Sequence, residues 1–139
     1  MQTVFINLLF IVVLGQADSF QNCENTVKES KYGNGYKIET TYFYKNCVLQ
    51  YKETEYQDEH RVTYKLEQAA FRKNGNKHWE AVYLSQHLSS YTRYNNEGLL
   101  ISRKKYTYDF CGELARIDTE IGLENSTQTF ETDCQNIYR

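Results

Sequence analysis

Residues 36–45 read YKIETTYFYK. Tyr36, Ile38, Thr40, Tyr42 and Tyr44 fall on one side of an extended chain, with Lys37, Glu39, Thr41 and Lys45 on the other. Side chains alternate between the two faces of a strand, so this period of two marks a half-buried β-strand. The Gly-Asn-Gly at 33–35 supplies the turn before it. The alternation continues downstream. Residues 47–56 put Cys47, Leu49 and Tyr51 on one side, and 61–71 group Val62, Tyr64, Leu66 and Ala70 against Arg61, Lys65 and Glu67. The KNGN at 73–76 signals a hairpin, because Asn-Gly accepts positive φ. The stretch HWEAVYLSQHL (78–88) is apolar on both faces, and NNEG at 95–98 is a further turn.

In LLISRKKYTYDF (99–110), Tyr106, Tyr108 and Phe110 alternate with Lys105, Thr107 and Asp109, which reads as one inward face. After Gly112 the apolar parity moves to Ala115, Ile117 and Ile121, the mark of a bulge or sharp bend at that glycine. A last strand around 126–132 leads to Cys134. The count comes to about seven or eight strands between 36 and 132, an all-β antiparallel barrel or sandwich. Residues 18–32 are polar and read as an N-terminal extension, a tail or a short helix. No internal repeat stands out.

The run VFINLLFIVVL (4–14) is broken only by Asn7. A membrane-spanning helix needs about 20 apolar residues, so this run is too short to span. Gly15 and Ala17 stand at the −3 and −1 positions of a cleavage site. Residues 1–17 therefore read as a secretory signal peptide, though no Lys or Arg precedes the run, and 18–139 as one secreted domain without a membrane span. Four cysteines, Cys23, Cys47, Cys111 and Cys134, argue for two disulfides in an oxidising compartment. Four cysteines allow three connectivities, and spacing does not choose between them. No CxxC occurs and no His lies at ligand spacing from a Cys, so no metal site is expected. Asn125-Ser126-Thr127 is a glycosylation acceptor in a polar segment that suits an exposed loop.

The formal charge of −2 leaves only Arg103-Lys104-Lys105 as a basic cluster, which reads as a solvated strand end and excludes a nucleic-acid face. No phosphate loop, GxGxxG, HExxH or GxSxG is present, and no catalytic residue or cofactor is assigned. His60, His78 and His87 are not brought together by spacing. The 13 tyrosines remain to be explained, either as core filling or as a cavity lining. Tyr offers a broad ring and a hydroxyl for one directed hydrogen bond, and a barrel of eight strands can hold one small ligand. Tyr42, Tyr44, Tyr51, Tyr64, Trp79, Tyr106, Tyr108 and Phe110 are the candidate ligand-binding residues, with Glu53 and Glu80 as carboxylates sharing the apolar parity.

Three cysteine-bearing segments, YKNCVLQYKETEY, YTYDFCGELARID and TFETDCQNIYR, occur in an order that resembles the salivary lipocalins of ticks over roughly residues 33–138. The resemblance implies an antiparallel eight-stranded barrel stapled by two disulfides. It also implies that Cys47 pairs with Cys134, leaving Cys111 to Cys23. The family is secreted during feeding. Its members bind small host mediators such as biogenic amines or lipids, and some bind host plasma proteins such as complement. This chain departs from the family in its short mature length, in having Trp79 as its one Trp, and in lacking a cysteine between the late strand and the C-terminus. The amine-binding residues of the family are therefore not carried over.

Overall fold

The computed structural model describes residues 25–136. The expected signal peptide (1–17) and Cys23 lie outside them. Nine strands follow in chain order: β1 (Asn25–Gly33), β2 (Tyr36–Lys45), β3 (Val48–Gln57), β4 (Thr63–Phe71), β5 (Lys77–Leu84), β6 (His87–Tyr94), β7 (Leu100–Tyr108), β8 (Leu114–Ile121) and β9 (Glu124–Thr129). A short 3₁₀ turn, Asp133–Asn136, closes the described chain. Every strand pairs antiparallel with its chain neighbour, so the sheet order is β1 to β9 without a crossover. Among the described residues no helix is long and apolar enough to cross a membrane.

The antiparallel all-β class is as expected, but the barrel is not. β1 and β9 do not pair, and only consecutive strands touch, so the sheet is open and one layer thick among the described residues. The physical reason lies in how the rings are distributed. A barrel interior needs one consistently apolar face. Here both faces mix rings with charges, as the registers below show. β1 is a second correction. Its sequence NTVKESKYG is too polar to read as a strand, yet it ladders along all of β2, with Val27 opposite Tyr42, as an exposed edge.

The turns contain a repeat that residue identity conceals. At 58–62, 72–76, 95–99 and 109–113 the first residue's amide donates to the carbonyl of the fifth, and the fourth residue's amide donates back to the first. The fourth residue has positive φ each time: Arg61 (63°), Gly75 (85°), Gly98 (84°) and Gly112 (84°). This is the three-residue hairpin loop, a type I turn followed by a left-handed residue. Asp58, Asn95 and Asp109 each accept two further backbone amides on Oδ1, at 2.9 Å. Arg72 cannot do this, and Asn74 Oδ1 takes the amide of Asn76 instead. Turns at 58 and 95, at 72 and 109, and at 85 and 122 are all 37 positions apart, so β4–β6 and β7–β9 are two copies of one three-strand unit. Gly112 thus sits in a hairpin turn; the bulge lies just after it on β8, where Ala115 is skipped between the pairs Thr107–Arg116 and Tyr108–Leu114.

Little of the chain is fully buried. Ala81 and Cys134 are the buried apolar residues, and no large side chain falls below 2 % exposure among the described residues. Cohesion therefore rests on ladder hydrogen bonds and cross-strand side-chain pairs, each pair contributing roughly 0.2–1 kcal/mol. The Cys111–Cys134 disulfide (Cα–Cα 6.1 Å) ties the β7–β8 turn to the 3₁₀ turn across β8 and β9. Asp133 N, donating to Glu113 Oε2 at 2.9 Å, braces the same junction. This corrects the expected Cys47–Cys134 and Cys23–Cys111 pairs. Cys47 lies in the β2–β3 turn, and successive turns of a meander alternate between the two ends of the sheet. Cys47 is therefore at the opposite end from Cys111, out of the roughly 4.4–6.8 Å Cα reach of a disulfide with Cys134. Cys47 is itself disulfide-bonded. A native bridge in a small secreted domain contributes about 2–5 kcal/mol.

Candidate functional site

Directly paired residues share a face, so the registers can be followed across the whole sheet. One row runs Thr26, Phe43, Tyr51, Ala70, Trp79, Arg93, Ser102, Ile121 and Glu124. The next row on that face runs Thr41, Glu53, Gln68, Ala81, Tyr91, Lys104, Thr119 and Ser126. Four rings form a chain across these rows. The centroids of Phe43 and Tyr51 lie 5.4 Å apart, those of Tyr51 and Trp79 6.1 Å, and those of Trp79 and Tyr91 5.9 Å. All three contacts are tilted, with spacings in the favourable range for aromatic pairs. The chain spans β4 because Ala70, the β4 residue between Tyr51 and Trp79, is small enough for the rings to meet above it. Ala81, between Gln68 and Tyr91, is 3 % exposed.

A polar group is set among these rings. Tyr51 Oη donates to Glu53 Oε2 at 2.9 Å, and Gln68 Nε2 donates to the same oxygen at 2.9 Å. Burial, then the Glu53 carboxylate, raise the Tyr51 hydroxyl far above the ordinary tyrosine value. Burial and the neighbouring Tyr108, Tyr91 and Tyr83 also raise Tyr106.

The opposite face is charged. Its rows run Val27, Tyr42, Lys52, Ala69, Glu80, Thr92, Arg103, Glu120 and Asn125, then Glu29, Thr40, Thr54, Glu67, Val82, Ser90, Lys105, Asp118 and Thr127. A shallow groove of about 310 Å³ lies there beside Lys52, Thr54, Glu67, Phe71, Lys77 and Glu80. Burial opposes ionisation of Glu80, but hydrogen bonds from Lys77 (2.6 Å) and Tyr94 outweigh it and hold the carboxyl below its usual value. Burial, then the bond to Glu80, push Tyr94 up to about 12. Glu67 is held low in the same way, against burial, by Lys65 and Tyr56.

The residues selected from the sequence divide between these places. Tyr51, Trp79 and Tyr106 share the aromatic face. Tyr108 stacks on His87 at 4.7 Å and donates to Leu88 O. Tyr42 lies on the charged face, under Lys52 and bonded to Glu29, and Tyr44 has the same parity. Tyr64 stands beside Tyr56 at the start of β4, 46 % exposed. Phe110 is in the β7–β8 turn, 75 % exposed, and does not continue the Tyr106 face. Glu53 and Glu80 point to opposite faces. Asn125 sits on edge strand β9 rather than in a loop, with Thr127 Oγ1 donating to Asp118.

Phe43, Tyr83 and Tyr91 were not among the candidates, although the pairing places Phe43 and Tyr91 on the Trp79 face. The usable signal was the parity of Trp79, but its relation to the parity of 36–45 depends on bulges that interrupt every ladder from β2–β3 to β7–β8. Asp109, Cys111 and Cys134 bring ligand-type atoms within 4.8 Å of one another, but both sulfurs are tied up in the disulfide. No protein-family model matches this chain, and no curated protein is significantly similar to it.

Proposed function

We propose that this chain is a secreted, non-catalytic binding protein that engages a protein partner across the aromatic face of its sheet. The observation that carries this reading is the ring chain Phe43, Tyr51, Trp79 and Tyr91, which spans five strands of an open sheet. Tyr and Trp are enriched at interface hot spots, because they bring large contact area with a polar handle. Arg93 and Lys104 continue the same rows and supply charge beside the rings. Secretion is supported by the apolar run 4–14 and by the Cys111–Cys134 bridge. A host immune or haemostatic protein as the partner class belongs to the same proposal. It is supported by the resemblance of the three cysteine-bearing segments to the tick salivary lipocalins alone, since the open sheet and the Cys111–Cys134 bridge depart from what that kinship implies.

The test is retention of a host plasma protein by the immobilised chain, followed by affinity measurement with the captured component. Trp79→Ala should weaken binding by about 2 kcal/mol or more, as at a hot spot, and Lys52→Ala on the other face should not. Equal loss from both variants, or from neither, defeats the proposal. A second reading, a small host mediator such as a biogenic amine or lipid, is favoured by the groove beside Glu67 and Glu80. It requires saturable calorimetric heat that Glu80→Gln abolishes.

A further inference from the structure

We propose that strand β9 is an interface at which two copies of this chain pair edge to edge. This goes beyond the binding role and uses neither face of the sheet. Among the described residues β9 ladders only with β8. The two-residue turn Gly122-Leu123 makes Ile121 and Glu124 a facing pair, and Phe130 N donates to Ala115 O at 2.9 Å. Hydrogen-bonded and non-hydrogen-bonded pairs alternate along an antiparallel ladder. Glu124, Ser126, Gln128 and Phe130 therefore turn their amides toward β8. Asn125, Thr127 and Thr129 turn theirs outward, unpaired along the strand.

Several features leave this edge open. All six residues of β9 are exposed. The β8–β9 ladder has no register shift, whereas every ladder from β2–β3 to β7–β8 has one. Bulges, proline and charge are the usual protections of an edge. β9 has no proline, and its one charge is Glu124 at the start. β1 differs: Lys28 stands at an outward position, with Glu29 and Lys31 beside it.

The occupant follows from the order of side chains. A two-fold axis through Thr127 sets Asn125 opposite Thr129 of the other copy, Ser126 opposite Gln128, and Thr127 opposite itself. No like charges meet, and Thr–Thr pairs are favourable across strands. The contact is isologous and closes at two chains, whereas β1 against β9 would propagate.

The experiment uses the chain as secreted, and again after enzymatic removal of any glycan at Asn125, whose side chain projects from the charged face beside this edge. Sedimentation equilibrium should show a reversible monomer–dimer equilibrium. Residue-resolved hydrogen exchange should slow at Asn125, Thr127 and Thr129 as the dimer forms. Thr127→Lys, which sets two ammonium groups against each other on the axis, should weaken the dimer several-fold. A monomer at every concentration, a dimer without protection at those three amides, or open-ended polymers would overturn the proposal. The exchange measurement on the unaltered chain decides even where the variant does not fold.

Discussion

The two faces of this sheet are built from the same strands and do different work. On one, rings of Phe43, Tyr51, Trp79 and Tyr91 pack against one another above small residues. On the other, Lys65, Glu67, Lys77 and Glu80 pair locally, and Ala69 lines an open groove. In a single layer neither face is sealed, so cohesion depends on how much apolar area each row covers. The comparison teaches that the aromatic face contributes ring contacts and the charged face local ion pairs, while small buried side chains occur on both, Thr41 and Ala81 on the first and Thr54 and Thr92 on the second. Surface ion pairs are worth about 0–1 kcal/mol, against about 0.5–1.5 kcal/mol for each aromatic pair beyond its area burial.

That contrast can be broken most directly at Trp79. Trp79→Ala removes two ring contacts and should cost about 3 kcal/mol in urea unfolding, the low end for aromatic truncation because the ring is half-buried. A cost below about 1 kcal/mol would mean that the ring contacts contribute little to cohesion. Next comes a pair of enlargements on opposite faces. Ala81→Leu, at a position with 3 % exposure, should destabilise by about 1–3 kcal/mol through overpacking. Ala69→Leu, in the groove of the charged face, should stay within about 0.5 kcal/mol. Equal effects would erase the distinction.

A smaller effect lies at alkaline pH. Tyr94 titrates at about 12 rather than 10.0, so its folded value is raised. Its contribution is complete below pH 10 and is lost as pH climbs through 12. Thermal melts should therefore fall between pH 10 and 12, and Tyr94→Phe should remove part of that decline and one late-ionising tyrosine from the absorbance titration. The smallest effect concerns Arg103 and Glu120, 3.5 Å apart and each 41 % exposed. Arg103→Gln should change stability by less than about 1 kcal/mol, and the difference should vanish in high salt.

Much of this could be read from the chain. Seven of the eight strands from β2 to β9 follow from alternation and turn residues, because side-chain direction and turn φ are local properties. β6 does not, since its turn, Ser85-Gln86, takes positive φ (46° and 73°) without Gly or Asn and falls inside the stretch 78–88 that reads as unbroken. The turns at 33–35, 73–76 and 95–98 lie where Gly and Asn placed them. The 73–76 signal was right for a partly different reason: among its residues positive φ is taken by Gly75, within a three-residue loop. The repeat escaped notice because it is carried by backbone hydrogen bonds, with Asp58, Asn95 and Asp109 filling one role and Arg72 standing in the same place. Half of the site was similarly hidden. Tyr51 and Trp79 were legible as candidates, but their neighbours Phe43 and Tyr91 were not, since one bulge moves every later side chain to the other face.

By itself the sequence determined the strand class, the positions of the turns marked by Gly and Asn, and the presence of an apolar leader-like run, all of which depend on neighbouring residues along the chain. Only the tertiary structure decided that the sheet stays open, that Cys134 joins Cys111 rather than Cys47, and which tyrosines stand with Trp79. Those outcomes depend on register summed over nine strands, and each internal bulge resets that sum by one residue.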